Sequence, residues 1–201
     1  IGFTKYGTIT LLLETSEERG SLGTTQLIKK LAAENDVELN MEPGDPPDVL
    51  TVWRKGSQVI HIKVKGRAAH AGVAPQDGRN AATELIHQLD SIKGIVPLSG
   101  DGPTLNLTVL KAGERTNIIP DEAEAMLSLR IRTLEQRDQA LARLRAAAAS
   151  TAVADTSVTV SAGPGYPPLI ETPAVGALAA RATAMYGELG KSIGKSGNGG
   201  A

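Results

Sequence analysis

The chain contains 201 residues, of which 41% are hydrophobic, and this length and composition fit a globular protein of one or two domains with a real core. Lys and Arg number 21 against 22 Asp and Glu, so there is no basic excess to attract nucleic acid or anionic lipid. No apolar run approaches the roughly 18 residues that a membrane span needs. The absence of cysteine means that any metal site must use oxygen and nitrogen ligands. We therefore expect neither nucleic acid nor a membrane as a partner.

The first predicted elements are a strand, a helix and a second strand. The run 8–14 is β-branched and Leu-rich without polar alternation, which predicts a strand buried on both faces. Apolar residues at helical spacing predict a helix over 22–33, and the following sequence DVELNMEP predicts a short strand over 36–43. This order is typical of an open α/β sheet, in which ligands lie beyond the carboxyl ends of the strands.

Three carboxylates follow the two predicted strands. Glu17 and Glu18 are adjacent after the first strand, and Glu42 falls at the end of the second. On residue type alone, an adjacent Glu pair is more often a solvated turn. If the three carboxylates converge, however, their mutual repulsion must be neutralised, and a divalent metal ion with oxygen ligands is the usual solution.

A different pattern begins near residue 56. Alternating apolar residues predict strands, and helical spacing predicts two helices, in the order strand 57–66, helix 79–92, strand 104–111, strand 122–132, helix 134–149 and strand 157–161. Thr133 and Gln136 form a capping-box signature at the start of the second helix. The order β-α-β-β-α-β is that of the ferredoxin-like split unit, an α+β arrangement.

We interpret the chain as one α/β domain interrupted by another domain. Residues 1–55 and 164–201 are assigned to an outer domain with a mixed sheet and helices on both faces, and residues 56–163 to the inserted ferredoxin-like domain. After residue 171, Thr172 as cap and Pro173 at the first position predict a helix to about residue 187. The first residue is Ile1 rather than Met, and the glycine-rich end closes no element. We therefore expect both ends of the outer domain to be missing, and no localisation is assigned.

Five segments carry a resemblance to a known family. They match it in order and spacing, and they are TSEERGSLGT, ELNMEPGD, GRAAHAGVAPQDGRNA, KAGERTNIIPDEAEAMLSLR and GNGGA. Over nearly its whole length the chain resembles the co-catalytic dizinc metallopeptidases, which include glutamate carboxypeptidase, aminoacylase and succinyl-diaminopimelate desuccinylase. The glutamate carboxypeptidase branch is the most similar. The resemblance implies that the complete active site of the protein holds two zinc ions. It also implies that this site hydrolyses an amide bond next to a free carboxylate, in a small peptide or an N-acyl amino acid.

The resemblance also implies roles for the acidic residues and for one histidine. Glu17 matches the general base that takes a proton from the metal-bridging water, while Glu18 and Glu42 match ligands of the two zinc ions. His70, which in isolation would be an exposed loop histidine, matches a residue that stabilises the oxyanion in the active site of the partner in a dimer. A homodimer formed through the inserted domain is therefore implied.

Four further residues match positions that contact the substrate. Asn117 matches an asparagine that touches the substrate, and Arg130 matches an arginine that holds its carboxylate, although without the resemblance Arg130 would be an exposed charge on a strand. Gly199 and Gly200 match a glycine-rich loop that offers backbone groups to the substrate.

The chain departs from the family pattern in two respects. The remaining metal ligands, which are an upstream His-x-Asp histidine, a bridging aspartate and a late histidine, have no counterpart here. Pro164 and Tyr166 replace arginines of the glutamate-cleaving enzymes, and Leu50 stands near the place of a lysine, so a preference for glutamate is not assigned. The alternative to an enzyme is a dimeric binding module that keeps the family fold without catalysis.

Overall fold

A computed structural model of the chain describes residues 7–17, 21, 23–41 and 48–199. The chain divides into two compact units, Ile1–Pro43 and Gly44–Ala201. The helices are α1 (Thr25–Glu34), α2 (Ala81–Ser91), α3 (Leu134–Ala147) and α4 (Pro173–Glu188). The strands are β1 (Val49–Arg54), β2 (Gly56–Lys65), β3 (Ala69–His70), β4 (Thr104–Ala112), β5 (Ile118–Ile119), β6 (Glu122–Ile131), β7 (Ser157–Tyr166) and β8 (Gly194–Asn198).

The two strands predicted before residue 44 are wrong as far as the structure describes them. Residues 8–14 and 36–41 belong to no strand, and their apolar side chains are exposed, Leu13 to 81% and Met41 to 91%. A strand with two apolar faces is stable only when paired strands and covering layers remove both faces from water. The described residues of the first unit supply the helix α1 but no strand to pair with either run.

The predictions beyond residue 56 are confirmed with small shifts in their bounds. Strands β2, β4, β6 and β7 form one antiparallel sheet in the order β4-β6-β2-β7, with α2 between β2 and β4 and α3 between β6 and β7 in the chain. The capping signature is also observed, because the Thr133 hydroxyl accepts a hydrogen bond from the Gln136 amide at 3.2 Å. The Gln136 side chain in turn accepts one from the Arg132 amide at 2.7 Å.

The core lies between this sheet and helices α2 and α3. Alternate residues of β2 and β6 point to the same face, where each is almost completely buried. The helices contribute Leu85 and Leu144 to the same cluster. Further core members from the two strands are Ile60, Ile62, Val64, Ala125, Leu129 and Ile131. The opposite face of the sheet carries charged and polar residues, as the alternation predicts.

A buried carboxylate ties α2 to the segment between α3 and β7. Glu84 is completely buried and accepts hydrogen bonds from the amides of Ala152 at 2.8 Å and Val153 at 2.7 Å. Gln88, one helical turn later, donates to the same carboxylate at 2.6 Å. These three donors satisfy a charged group that would otherwise be very costly to bury.

A second sheet, which the sequence did not predict, consists of β1 and β8 paired in parallel. Helix α4 packs against β1. The ring of Trp53 on β1 lies directly over Gly197 on β8, where an added Cβ would overlap the ring atoms. None of the helices in the described ranges is long and apolar enough to cross a membrane.

This contact predicts that Gly197→Ala destabilises the protein, because the new methyl group would push the Trp53 ring out of its place. We expect the free energy of unfolding to fall by about 1–3 kcal/mol. Urea denaturation followed by the fluorescence of Trp53, the single tryptophan of the chain, measures the change. Gly194→Ala on the same strand is the control, since an added Cβ there meets no atom within 4 Å. Equal stabilities of the two variants would contradict the prediction.

Candidate active site

The predicted site residues fall in both compact units. Glu17 belongs to the unit Ile1–Pro43, whereas His70, Asn117, Arg130 and Gly199 belong to the unit Gly44–Ala201. The remaining three, Glu18, Glu42 and Gly200, lie outside the described residues. The two units are therefore considered separately.

In the first unit, the segment that carries Glu17 is organised around the carboxylate of Glu14. This carboxylate accepts hydrogen bonds from the hydroxyls of Ser16 at 3.0 Å, Ser21 at 3.2 Å and Thr24. The Ser21 amide also donates to the Ser16 carbonyl at 3.0 Å. Glu14 thus connects Ser16, the neighbour of Glu17, with Ser21 and with the start of α1.

The same hydroxyls stabilise the charged form of Glu14. The hydrogen bond from Thr24 is the largest influence and lowers the pKa of Glu14 below its ordinary value of 4.5, with Ser16 and Ser21 acting in the same direction and desolvation opposing them. Sequence reasoning missed this residue. The available signal was the group of three hydroxyl side chains within ten residues of a carboxylate at the end of an apolar run.

In the second unit, His70 and Asn117 are neighbours. The short strand β3 pairs with β5 so that His70 lies opposite Ile118, and the Ala71 amide donates to the Asn117 carbonyl at 2.9 Å. Two of the residues that the resemblance singled out, which are 47 positions apart in sequence by subtraction of their numbers, are therefore brought together at one end of the four-stranded sheet.

The backbone fixes the hydrogen-bonding state of the His70 ring. The amides of Gly72 and Val73 each donate to Nδ1 at 3.2 Å. Because Nδ1 accepts, the ring proton of the neutral imidazole lies on Nε2. His70 is exposed. It therefore presents an oriented N–H donor at the surface, which is the geometry that stabilisation of a developing oxyanion requires.

Several contacts hold the loop 66–80 that carries His70. The backbones of Arg67 and Arg79 exchange two hydrogen bonds at 2.8 and 3.0 Å, and the Arg79 side chain forms an ion pair with Asp155 at 3.0 Å. Gly78 packs so closely on Ile119 that an added Cβ would lie 2.6 Å from it. The loop is thus fastened to β5 and to the segment before β7.

Arg130 lies near the other end of the sheet. On β6 it stands between Ser57 of β2 and Thr104 of β4. It is eight residues along β6 from Glu122, a span of roughly 26 Å at 3.3 Å per residue. Its guanidinium makes no hydrogen bond or ion pair to another residue of the described ranges, so its donors can serve a carboxylate ligand.

Gly199 directly follows β8. Because β1 and β8 are parallel, their carboxyl ends meet at the same edge of this small sheet, where Asn198 accepts a hydrogen bond from the Lys55 amide at 3.1 Å. The Asn198 side chain also accepts one from the Arg54 side chain at 3.3 Å. Gly199 therefore lies at the edge where ligands of parallel sheets bind.

The structure offers no test of the predicted zinc ligands. Nowhere in residues 7–17, 21, 23–41 and 48–199 do three or more His, Asp or Glu side chains gather closely enough to hold a metal ion. The two residues proposed as ligands are outside these ranges, and the fit of a metal is not established by the residues that are described.

Comparison with known proteins identifies the middle of the chain. Residues 52–156 match the family model described as the peptidase dimerisation domain. Carboxypeptidase G2 of Pseudomonas sp. strain RS-16 is 32% identical over 196 residues, which cover 96% of this chain and 46% of the relative. A homolog of p-aminobenzoyl-glutamate hydrolase from Haemophilus influenzae is 47% identical over 72 residues, or 35% of this chain and 17% of the relative. The chain thus spans at most about half the length of these curated relatives.

The fold has counterparts among solved structures. The crystal structure of the aminopeptidase PepT from Bacillus cereus superimposes with a TM-score of 0.71 at 18% identity, covering 92% of this chain and 49% of that one. Identity this low supports the fold alone.

The hydrogen bonds to Glu14 predict a pH-dependent turn. Because its pKa is lowered in the folded state, Glu14 stabilises the turn at pH values above 4.5, and this contribution is lost as the pH falls through the lower, folded-state pKa. The protection of the amides of Ser21, Thr24 and Thr25, measured relative to the intrinsic hydrogen-exchange rate at each pH, should therefore fall in that acidic range and in Glu14→Gln at neutral pH. Glu34→Gln, at an exposed ion pair on α1, is the control. Equal protection in both variants would show that Glu14 does not hold the turn.

Proposed function

Because the chain belongs to the M20 peptidase family, on its glutamate carboxypeptidase branch, we propose that the whole protein is a zinc-dependent amidohydrolase. It hydrolyses an amide bond next to a free carboxylate, as a carboxypeptidase or an N-acyl amino acid deacylase. Among the observations in the structure, the one that carries the proposal is the exposed His70 ring, in which two backbone donors to Nδ1 leave the proton of the neutral ring on Nε2.

The proposed chemistry divides the acidic residues by role. Glu18 and Glu42 contribute to the sites of two zinc ions, which when bound polarise the scissile carbonyl and lower the pKa of water. Glu17 accepts the proton of the attacking water, and its turn is held by Glu14. Since Glu17 adjoins a ligand in sequence, the backbone that places the ligand also places the base.

The substrate is held by groups at the edge of the β1–β8 sheet and on β6. Arg130 binds the free carboxylate through its planar fork of donors. Asn117 contacts the substrate beside His70, and the backbone of Gly199 and Gly200 supplies further polar groups. Glutamate as the leaving group is not part of the proposal, because Leu50, Pro164 and Tyr166 replace basic residues of the glutamate-cleaving enzymes.

Two chains are needed to complete one site. His70 follows the end of β2 that pairs with Glu122, and Glu122 is separated from Arg130 by roughly 26 Å along the strand β6. A single small substrate cannot contact both groups of the same chain over that distance. We propose that His70 and Asn117 act in the site of the other protomer of a homodimer.

The sheet edge at β4 suggests how such a dimer forms. In the sheet order β4 is an edge strand, and two of its residues on the helix-bearing face remain exposed, Leu107 to 47% and Leu110 to 53%. Ile86 on α2 is exposed to 65%. An exposed edge with apolar side chains favours pairing with another strand. The proposal is that β4 pairs with β4 of a second copy.

The pairing of β4 with β4 also explains how groups of two protomers meet in one site, which we call the composite site. Antiparallel pairing about a twofold axis reverses one sheet relative to the other, so the end with His70 in one chain lies alongside the end with Arg130 in its partner. The two β6 strands are then separated by three strand spacings, or roughly 14 Å.

The domain assignment belongs to the same proposal. Residues 56–163 form the inserted dimerisation domain, and the strand order β4-β6-β2-β7 with two helices on one face supports a ferredoxin-like arrangement. Residues 1–55 and 164–201 form parts of the catalytic domain, to which β1, β8 and α4 contribute.

The roles of the adjacent carboxylates predict different results on substitution in the full-length enzyme. Glu17→Gln should keep both zinc ions but lower the turnover rate by about two to four powers of ten, because the base is lost. Glu18→Gln should lose metal and regain part of its activity in excess zinc, because a charged ligand is removed. Metal content by mass spectrometry and turnover measurements distinguish them. Equal loss of zinc in both variants would refute the division of roles, and an inactive wild-type protein would favour a non-catalytic binding module.

The composite site predicts complementation between two inactive variants. Glu17→Gln and His70→Ala protomers, exchanged at equal amounts, should recover about a quarter of the wild-type activity. Half of the dimers are then mixed, and each mixed dimer has one intact site of two. Activity is measured after protomer exchange has been verified by light scattering and native mass spectrometry.

The dimer interface supplies the control for this experiment. Leu110→Lys, added to both variants, places a charge in the proposed interface and should give monomers without recovered activity. Leu189→Lys, at a residue after α4 that is exposed to 72%, should leave the recovery intact. Verified exchange without recovered activity would show that His70 does not act on the other protomer.

A further inference from the structure

In the second unit, the chain passes between the β1–β8 sheet and the four-stranded sheet through two adjacent segments, 54–56 and 166–169, which we call the neck. Arg54 and Leu169 exchange two backbone hydrogen bonds at 3.0 and 3.1 Å. Gly56 lies so close to the other segment that an added Cβ would lie 2.6 Å from both the Tyr166 carbonyl oxygen and the Pro168 nitrogen. Two closely paired segments of this kind form a narrow connection about which the sheets can bend.

Two long cationic side chains extend across or beside the neck. The Arg132 guanidinium, just after β6, lies 3.6 Å from the centre of the Trp53 ring on β1. Lys55, only 5% exposed, donates from its ammonium group to the Gly100 carbonyl in the loop before β4. Each contact joins residues of, or next to, the β1–β8 sheet to a part of the four-stranded domain.

The Arg132 contact is fixed from both sides. The Trp53 ring has little room to move, because it lies against Gly197 without space for a methyl group. The Arg132 backbone is held by the Gln136 side chain, which caps α3. Arg132 belongs to neither the core cluster nor an ion pair of the described residues, so its stacking serves the junction rather than the interior of the domain.

We infer that Arg132 is a positioning residue that holds the four-stranded domain in one orientation relative to the β1–β8 sheet by stacking on Trp53. A cation over an indole ring is strong enough for a roughly five- to thirty-fold preference for one orientation, which restrains the neck without freezing it. Lys55 and Gly100 limit the movement from a second point.

The orientation matters for the proposed site. Arg130 precedes Arg132 by two residues at the end of β6, so the stack sets how far the proposed carboxylate-binding arginine lies from Gly199, which follows β8. This consequence depends on the proposed function, whereas the restraint itself does not.

The test measures the orientation directly and uses the absence of cysteine from the chain. Ala142→Cys on α3 and Ala180→Cys on α4, both at exposed positions, accept spin labels on the two sides of the neck. Double electron–electron resonance on the whole chain should give one dominant distance. In Arg132→Met, the population of other orientations should rise by roughly five- to thirty-fold relative to the main one. Arg132→Lys, which retains a cation, should show a smaller change.

The matched control is Arg143→Met, at an exposed arginine on α3 that should leave the distances unchanged. Trp53→Leu removes the stack from the other side and should reproduce the effect of Arg132→Met, with folding of each variant checked by circular dichroism. Distances in Arg132→Met and Trp53→Leu that superimpose on those of the parent would overturn the inference. Neither substrate nor metal enters the measurement, so its outcome is independent of whether the proposed activity is correct. With the full-length enzyme, a larger effect of Arg132→Met on KM than on kcat would connect the restraint to carboxylate binding.

Discussion

The antiparallel pairing of β2 with β6 determines where the functional groups of the second unit lie. The two strands are in continuous register from Gly56 opposite Ile131 to Lys65 opposite Glu122, and their alternate residues build the core with α2 and α3. Only one register places all the alternating apolar residues in the core. A slip by one residue would expose these side chains to water. The length of this pairing places His70 near one end and Arg130 near the other, and this separation is the basis of the proposal that one site uses groups from two protomers.

The local pattern of the sequence was sufficient for the elements of this domain. Alternation and helical spacing, which are short-range signals, predicted its four long strands and two helices, and the cap at Thr133 marked the start of α3 correctly. The same reasoning failed for residues 8–14 and 36–41, whose strong β propensity has no paired strand in the described chain. A high β propensity means that a segment fits well into a sheet, but the segment forms a strand only when another strand pairs with it.

The sequence did not predict β1 and β8 because their pairing depends on contacts that are distant in sequence. The segment Gly194–Asn198 has almost no β-forming residues, and it pairs with Val49–Arg54, which lies on the other side of the four-stranded sheet in sequence. Glycine is unfavourable in most strands, but Gly197 is required in β8, because the Trp53 ring occupies the space that a side chain would fill. The sequence was also insufficient for the geometry of the candidate site. Motifs singled out His70, but only the folded loop shows that its Nδ1 accepts hydrogen bonds. Glu14 was missed because its hydroxyl partners come together only in the folded chain.

The proposed site needs both a rigid four-stranded sheet and a connection to the β1–β8 sheet that can adjust. A site assembled from two protomers needs a rigid sheet, because His70 must reach a position fixed by the partner, and the buried carboxylate of Glu84 together with the fastened loop 66–80 provides that rigidity. Binding a substrate at the edge of the β1–β8 sheet needs adjustment, which a neck of two short segments allows. A stacked arginine suits this position, because the free energy by which it favours one orientation is comparable to the binding free energy of a single carboxylate contact. A stronger restraint at the neck, such as a continuous apolar interface, would remove this adjustment. Without the stack of Arg132 on Trp53, Arg130, the proposed carboxylate-binding residue, would have no defined distance to Gly199.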